Sequence, residues 1–202
     1  MTRVIGGSAR GRTLAVPPKG TRPTSDRARE GLFNRVDTLL DLAGRAVLDL
    51  YAGSGAVGLE ALSRGAGRVV FVEHDRRAAV VIAANAAVVT GGRGVPVGRR
   101  VVDGDPGDAI SVANRTVAAF LADEPPAAAP FDLIFADPPY GLAEAEVAAM
   151  LAAVAAPAWS VEGALVVLER SARGPAPYWP DALEPLGARR YGDGALWYGR
   201  RR

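Results

Sequence analysis

Short apolar runs alternate with amphipathic segments over the central part of the chain. A short apolar run bounded by polar or glycine residues is typical of a buried strand, and apolar residues at three- and four-residue spacing are typical of a helix. Five strands are predicted on this basis, with the sequences AVLDLY, RVVFVE, RRVVDG, FDLIFAD and GALVVLER. Because apolar strands alternate with helices, we predict an α/β fold with a mostly parallel central sheet and helices on both faces.

Four helices are predicted between these strands. The first runs through AVGLEALSRG, and the second runs through DRRAAVVIAANAAVVTGG with Asp75 as its N-cap. The third begins at Asp105 or Asp108 and runs through AISVANRTVAAFLA, and the fourth runs through AEAEVAAMLAAVAA. In a parallel sheet of this kind, a ligand binds outside the carboxyl ends of the strands. We therefore expect the functional residues at those strand ends.

The two ends of the chain follow a different pattern. Residues 4–5 and 14–16 are apolar and flank GGSARGR, which predicts two short strands around a glycine-rich turn. A helix capped by Thr24 or Ser25 follows, and Gly44 ends its apolar pattern. Near the C-terminus, LGARRY and ALWYGR around GDG predict a hairpin after an irregular proline-rich segment. We predict one domain over residues 1–202, with residues 1–24 as a basic N-terminal hairpin extension.

The composition excludes several classes of site. The 202 residues include no cysteine, so disulfides and zinc–thiolate sites are excluded, and no metal site is predicted. The first residues, MTRVIGGSARGRT, lack the apolar centre of a signal peptide. No apolar run reaches the ~18 residues of a membrane span. We therefore expect a cytoplasmic protein without membrane association.

Positive charge is concentrated near the N-terminus. Residues 1–35 hold eight basic and two acidic residues, whereas the whole chain has a formal net charge of only +2. A basic segment on an acidic body is typical of a protein that contacts a polyanion, although a solvated basic surface has the same composition. The charge pattern therefore makes nucleic acid a candidate partner.

A glycine-rich turn, DLYAGSGAVG at residues 49–58, follows the first central strand. It contains G-x-G-x-x-G, in which glycines allow a sharp turn and a close approach of the backbone to a ligand. Glu73 ends the second strand, 20 residues beyond Gly53, where a carboxylate can accept hydrogen bonds from both hydroxyls of an adenosine ribose. These features predict an adenosine-bearing cofactor but do not distinguish NAD from others of that class.

The sequence DPPY, Asp137 to Tyr140, follows the fourth strand. Proline has no N–H to donate, so the carbonyls of Pro138 and Pro139 can point at a ligand without a competing local bond. Asp137 and the next carbonyl can accept both hydrogens of one exocyclic amine, and Tyr140 can stack on a planar base. This combination fits a heteroaromatic amine that has been taken out of its stack.

The motifs LDLYAGSGAVGLE, VEHD and DPPY, in this order, resemble the class I S-adenosylmethionine-dependent methyltransferases that act on exocyclic amines. With the preceding IGGSARGRTLAVPPKGTRPTSDRAREGLFN, the chain resembles more closely the bacterial 16S rRNA (guanine-N2)-methyltransferase family, which modifies guanine 966. The resemblance covers about residues 3–170. It implies a Rossmann-like methyltransferase fold, with S-adenosylmethionine as the cofactor, S-adenosylhomocysteine as its product and no metal.

The resemblance implies roles for residues at the cofactor. Asp49, Gly53 and Gly55 would line the methionine part, and Tyr51 and Ser54 of the same loop would also bind the cofactor. Glu73 would hold the ribose. Asp105 would approach the adenine, with Asp103 as a rival. His74, the single histidine of the chain, is assigned no role.

The resemblance also implies roles at the substrate. Asp137 and the Pro138 carbonyl would orient the guanine amine as catalytic groups, and Tyr140 would stack on the base. The implied partner is 16S rRNA, within a 30S subunit or an assembly intermediate, and we expect the protein to be a monomer. Phosphates would be contacted by Arg10, Arg12, Lys19, Arg22 and Arg27.

Three other functions fit parts of the sequence. A DNA adenine-N6 methyltransferase would use the same chemistry, but only short hairpins flank the core, where such enzymes usually carry a target-recognition region. An NAD-dependent oxidoreductase explains the glycines and Glu73 but leaves DPPY without a role. A non-catalytic RNA-binding module would have no need for Asp137 and Tyr140.

Overall fold

The structure, a computed structural model, describes residues 2–17, 26–92, 97–98 and 109–202. These residues form ten strands and five helices. The strands are β1 (Thr2–Arg3), β2 (Thr13–Leu14), β3 (Ala46–Leu50), β4 (Arg68–Glu73), β5 (Val97–Gly98), β6 (Ile110–Asn114), β7 (Phe131–Ala136), β8 (Ser160–Ser171), β9 (Leu183–Tyr191) and β10 (Gly194–Arg201). The helices are α1 (Asp26–Leu39), α2 (Ala56–Ser63), α3 (Arg76–Thr90), α4 (Val117–Leu121) and α5 (Glu144–Val154).

Eight of the strands form one sheet in the order β5-β6-β4-β3-β7-β8-β10-β9. The first six are parallel, and β10 is antiparallel to both of its neighbours, β8 and β9. From β3 the chain moves outward to β4 and β6, and it then crosses to β7 on the other side of β3. This reversal is the point where open α/β sheets bind their ligands. The predicted α/β fold with a mostly parallel sheet is confirmed.

The central strands β3, β4 and β7 are mostly apolar because helices cover both faces of the sheet. Every residue of β3 is buried, and its neighbours Val47 and Leu48 pack into two different apolar clusters. The first cluster includes residues of α1, α2 and α3, and the second includes residues of α4 and α5. Successive side chains of a strand point to opposite faces, so a continuous apolar run is the pattern that two covered faces require.

The segment 109–122 differs from the prediction of one helix. It forms strand β6, which pairs in parallel with β4, and then the short helix α4. Ile110 and Val112 pack into one apolar cluster and Ala113 into the other, which is the alternation of a strand. The new helix starts at Thr116, whose hydroxyl accepts a hydrogen bond from the Ala119 N–H. The strand predicted at RRVVDG and the helix caps Asp105, Asp108, Thr24 and Ser25 lie outside the described residues.

The predicted N-terminal hairpin is present as β1 and β2, which pair antiparallel, but its strands lie at residues 2–3 and 13–14 and not at the predicted 4–5 and 14–16. Its turn lies on α2, where the buried Glu60 carboxylate accepts the N–H groups of Ile5 and Gly6, both at 2.7 Å. The side chain of Arg29 in α1 is fully buried beneath the hairpin and donates to the Thr2 hydroxyl at 2.9 Å. Burial lowers the pKa of this guanidinium, while nearby Asp26 and Glu60 oppose the shift. The hairpin is therefore packed into the core of the protein.

The predicted C-terminal hairpin is formed by β9 and β10, joined by Gly192 and Asp193. Strand β10 lies between β8 and β9, so the hairpin extends the central sheet. Gly192 has a φ of 60°, which suits the left-handed geometry of a tight hairpin turn. Among the helices in the described ranges, none combines the length and the apolar character needed to cross a membrane.

Candidate active site

A cleft of about 1170 Å³ lies at the carboxyl ends of the central strands. Its floor is formed by the residues that end β3, β4, β7 and β8. The start of α1 and the turn between β9 and β10 form its walls. The cleft is lined by nine of the residues singled out from the sequence: Arg27, Asp49, Tyr51, Gly53, Ser54, Glu73, Asp137, Pro138 and Tyr140.

The glycine-rich turn has a backbone that most side chains would not allow. Tyr51, Gly53 and Gly55 have φ angles of 59°, 56° and 75°, in the left-handed region. Gly53 lines the cleft, whereas a Cβ on Gly55 would lie 3.1 Å from Ile82 Cγ2 in the core. A Cβ on Gly58 would overlap the ring of Phe71, so this glycine lets α2 pack closely on β4. The first glycine of the pattern therefore faces the cleft and the other two serve packing.

Glu73 connects this turn to the end of β4. Its Oε2 accepts the Gly53 N–H at 2.9 Å, and its Oε1 accepts the Asp75 N–H at 2.8 Å. The ring Nδ1 of the exposed His74 lies 3.1 Å from the same Oε1. Asp75 caps α3, as predicted, by accepting the Arg77 N–H. The Glu73 carboxylate is thus held in one position at the wall of the cleft.

Asp49 is a buried carboxyl group at the end of β3. Its Oδ2 accepts the Gly58 N–H at 2.8 Å. Burial raises the pKa of Asp49 to about 8, and the charge of Glu73 adds to the shift, while the bond from Gly58 opposes it. The surroundings of Asp49 therefore favour its protonated form.

Asp137 follows β7 and begins the DPPY loop. Burial raises the pKa of Asp137 well above its ordinary value, and the charges of Glu169 and Asp49 raise it further, while Arg170 acts in the opposite direction. Pro138 is buried, and Tyr140 is 48% exposed at the cleft wall. The cleft therefore holds, together with an exposed tyrosine ring, a carboxyl group whose ionised form is disfavoured by its surroundings.

Arg170, near the end of β8, holds the DPPY loop in place by hydrogen bonds. Its guanidinium donates to the carbonyl oxygens of Pro139 at 3.2 Å and Leu142 at 3.3 Å, and it pairs with Glu144. The Pro139 carbonyl also accepts the Leu142 N–H at 2.8 Å. The expectation that both proline carbonyls lack local bonds is therefore wrong for Pro139, because the loop is short enough to bond within itself.

Glu169 and Gly194 meet at the same end of the cleft. Glu169 is buried, and its Oε1 lies 3.1 Å from the position that a Cβ on Gly194 would occupy. The Tyr140 hydroxyl lies 3.6 Å from that position. The turn of the C-terminal hairpin therefore approaches both the end of β8 and the DPPY loop.

The basic residues predicted to contact phosphate occupy different places. Arg27, at the start of α1, lines the cleft. Arg10 is exposed on the N-terminal hairpin, and Arg12 donates to the Val88 carbonyl near the end of α3. Lys19 and Arg22 lie outside the described residues, as do Asp105 and its rival Asp103.

Comparison with known proteins places the chain in a family. The family described as conserved hypothetical protein 95 matches residues 2–200. The chain belongs to this family. Ribosomal RNA small subunit methyltransferase D of Escherichia coli K12 is 37% identical over 139 residues, which cover 68% of this chain and 60% of that protein. The alignment therefore spans less than two thirds of that relative's length.

Two further relatives are similar over more of their length. The protein of the same description from Haemophilus influenzae is 35% identical over 150 residues, covering 74% of this chain and 69% of that one. The solved structure of the putative methyltransferase yhhF from Escherichia coli has a TM-score of 0.79 and 31% identity. It covers 100% of this chain and 98% of that chain. The resemblance noted in the sequence motifs is confirmed at the level of the family.

Several residues that line the cleft, or that hold its DPPY loop, were not predicted from the sequence. Glu169 and Arg170 end a predicted parallel strand, so the rule that identified Glu73 and Asp137 could also have found them. No sequence pattern predicts that Gly194 and Arg190 line the cleft. They reach the cleft because β10 inserts beside β8, which the spacing of residues along the chain does not reveal.

Proposed function

We propose that the protein transfers the methyl group of S-adenosylmethionine to the exocyclic N2 amine of a guanine in small-subunit rRNA, the base at position 966. One observation carries the proposal: a single cleft contains both the glycine turn with Glu73 and the DPPY loop. The first set of groups fits an adenosine cofactor, and the second fits an aromatic amine. The descriptions of the relatives as rRNA methyltransferases support the same chemistry.

The groups at the cofactor end fit S-adenosylmethionine. Glu73 offers a fixed carboxylate for the ribose hydroxyls, and Asp49 offers a buried carboxyl group for the α-ammonium of the methionine part. Gly53 allows the backbone to approach the ligand closely, beside Tyr51 and Ser54. When bound there, S-adenosylmethionine supplies an electrophilic methyl group on a positively charged sulfur. The adenine contact is proposed for Asp105, outside the described residues.

The groups at the other end would bind and orient the base. Asp137 and the Pro138 carbonyl accept the two hydrogens of N2, and Tyr140 stacks on the ring. Holding N2 about 3–3.5 Å from the methyl carbon accounts for much of the rate gain. The bond from N2 to carbon forms as the sulfur–carbon bond breaks, and N2 then loses one proton. Asp137, which would hold N2 by a hydrogen bond, is the group placed to accept that proton.

RNA would be held by the basic residues around the cleft. Arg27 lines the cleft itself, so we propose that it contacts a phosphate beside the target base. Arg10, Arg12, Lys19 and Arg22 would extend this contact along the N-terminal segment. We propose that the protein acts as a monomer in the cytoplasm on 16S rRNA within a 30S subunit or an assembly intermediate.

Replacing Asp137 tests this chemistry. Asp137→Asn keeps an acceptor oxygen but cannot take the proton, so we expect methyl transfer to 30S subunits to fall by at least about 100-fold. The affinity for S-adenosylhomocysteine, measured by calorimetry, should stay close to that of the wild type. Asp181→Asn, an exposed change before β9, is the matched control. Near-normal turnover by the Asp137 variant would show that the mechanism is wrong.

A further inference from the structure

Arg170 leaves strand β8 on the face of the sheet that α5 covers. Val166 and Leu168 precede it at two-residue spacing, and both pack into the apolar cluster that includes residues of α4 and α5. Successive side chains of a strand point to opposite faces, so the Arg170 side chain lies on the same face as these two. Arg170 is buried, and it is not among the described residues that line the cleft, whereas its neighbour Glu169 is. The guanidinium therefore reaches the DPPY loop from the side of α5.

The DPPY loop ends in a tight turn that carries Tyr140. The Pro139 carbonyl accepts the Leu142 N–H at 2.8 Å, which closes a four-residue turn. Tyr140 and Gly141 are the two central residues of this turn. The two carbonyls to which Arg170 donates are those of Pro139 and Leu142, the first and the last residue of the turn. Arg170 thus holds the chain on both sides of Tyr140.

The contacts of Arg170 use the forked shape of its guanidinium. Nη1 donates to the Pro139 carbonyl at 3.2 Å, while Nη2 donates to the Leu142 carbonyl at 3.3 Å. Nη2 also pairs with Glu144 in the first turn of α5. A lysine would present its charge at one point on a flexible stem and could not reproduce this planar set of donors. The turn is in this way tied to both β8 and α5.

We propose that Arg170 is a positioning residue, which fixes this turn so that the Tyr140 ring holds the target base in line with the methyl donor. The proposal rests on the function proposed above. Tyr140 is 48% exposed, so contacts of its own side chain with the protein cover only part of it, and the turn supplies the rest of its positioning. A displacement of about 1 Å in an active site can lower the rate about 100-fold. Turnover therefore depends on Arg170, although its contacts are with the loop and not with the base.

A double-mutant cycle with Tyr140 tests this role. The kcat and KM for methyl transfer to 30S subunits are measured, with kcat expressed per site that binds S-adenosylhomocysteine, so that unfolded protein does not count. Arg170→Met should lower kcat/KM at least about tenfold, mainly through kcat, and Arg170→Lys should restore only part of this loss. Tyr140→Ala should lower kcat/KM at least about fivefold, because the stacking contact is lost. In the Tyr140→Ala background, Arg170→Met should change kcat/KM less than about twofold, because the ring that it positions is absent.

Arg45→Met is the matched control, because Arg45 also bonds a carboxylate, that of Asp132, and a backbone carbonyl, that of Asp41. These contacts lie at the amino end of β3, away from the cleft, so kcat/KM should stay close to the wild-type value. Losses that multiply in the double variant would overturn the proposal, and so would a normal rate in Tyr140→Ala or in both Arg170 variants. If Arg170→Met does not fold, the same cycle with Arg170→Lys decides the question. If the wild type does not methylate 30S subunits, the proposed function fails, and this proposal fails with it.

Discussion

At the scale of single residues, the cleft depends on carboxyl groups whose surroundings set their charge. Asp49 is buried, and its pKa is raised to about 8, above the ordinary value for an aspartate. The unfolded chain releases the Asp49 proton near pH 4, whereas the folded protein holds it up to about pH 8. Between these two pH values, only the folded protein binds the proton. The contribution of Asp49 to stability therefore decreases as the pH rises through this window.

Cofactor binding should therefore be coupled to proton release at Asp49. The α-ammonium of S-adenosylhomocysteine favours the ionised carboxylate, so binding at pH 7 should release about one proton. Calorimetry in two buffers of different ionisation enthalpy measures this number. In Asp49→Asn the release should disappear and the affinity should fall at least about tenfold. A binding enthalpy that is the same in both buffers for the wild type would contradict this assignment.

At the scale of elements, packing against α2 sets the position of the N-terminal hairpin, which its charged residues alone do not predict. Its glycine-rich turn lies against the end of α2, where Ser63 donates to the Gly6 carbonyl at 2.6 Å and accepts the Ala9 N–H at 2.9 Å. A Cβ on Gly7 would overlap the Ser63 carbonyl, and Gly7 has a φ of 75°. Gly7 therefore serves close packing of this turn on α2.

Two glycine substitutions separate close packing from backbone strain. Gly11 also has a left-handed φ, of 84°, but nothing lies within 4 Å of its Cβ position. Gly11→Ala should cost about 1–2 kcal/mol for its φ alone. Gly7→Ala should cost about 1–3 kcal/mol more, because the backbone of α2 cannot yield as a flexible side chain would. Urea unfolding measures the free energy of unfolding of both variants. Equal losses would contradict the close packing of Gly7 on α2.

Strands and helices were predictable from the sequence where a local pattern, such as an apolar run or a helix cap, determines them. The strands β3, β4 and β7 are short and mostly apolar, and Asp75 caps α3, so these were predicted correctly. The strand β6 was not, because ISVANRT fits a helix and only its pairing with β4 selects the strand. The carboxylates at the strand ends followed from the parallel sheet. The position of Gly194 in the cleft did not follow from the parallel sheet, since it depends on how β10 pairs with β8.

At the scale of the whole molecule, positive charge and the cleft meet at the start of α1. Arg27 lines the cleft, and the first 35 residues hold eight basic residues in a chain of net charge +2. The strand β9 ends at the same cleft with Arg190, which adds a further positive charge. Arg27 and Arg190 line the same opening as the acidic residues Asp49, Glu73 and Asp137. We infer that RNA approaches the cleft from the side of α1 and β9.

Salt dependence tests this approach. Arg27→Ala should weaken RNA binding and reduce the slope of log affinity against log salt by about one. The affinity for S-adenosylhomocysteine should stay unchanged. Arg68→Ala is the matched control. Arg68 is exposed at the start of β4, at the amino ends of the parallel strands and so on the side of the sheet away from the cleft. A loss of cofactor affinity in the Arg27 variant, with the salt slope unchanged, would place this residue at the cofactor instead.

The central claim is that the cleft joins a methyl donor to the N2 amine of a guanine in rRNA. Transfer of a tritium-labelled methyl group from S-adenosylmethionine to 30S subunits that lack the modification tests it most directly. After digestion to nucleosides, the label should be found in N2-methylguanosine. Label in N6-methyladenosine, or no transfer by a protein that binds S-adenosylhomocysteine, would contradict the account.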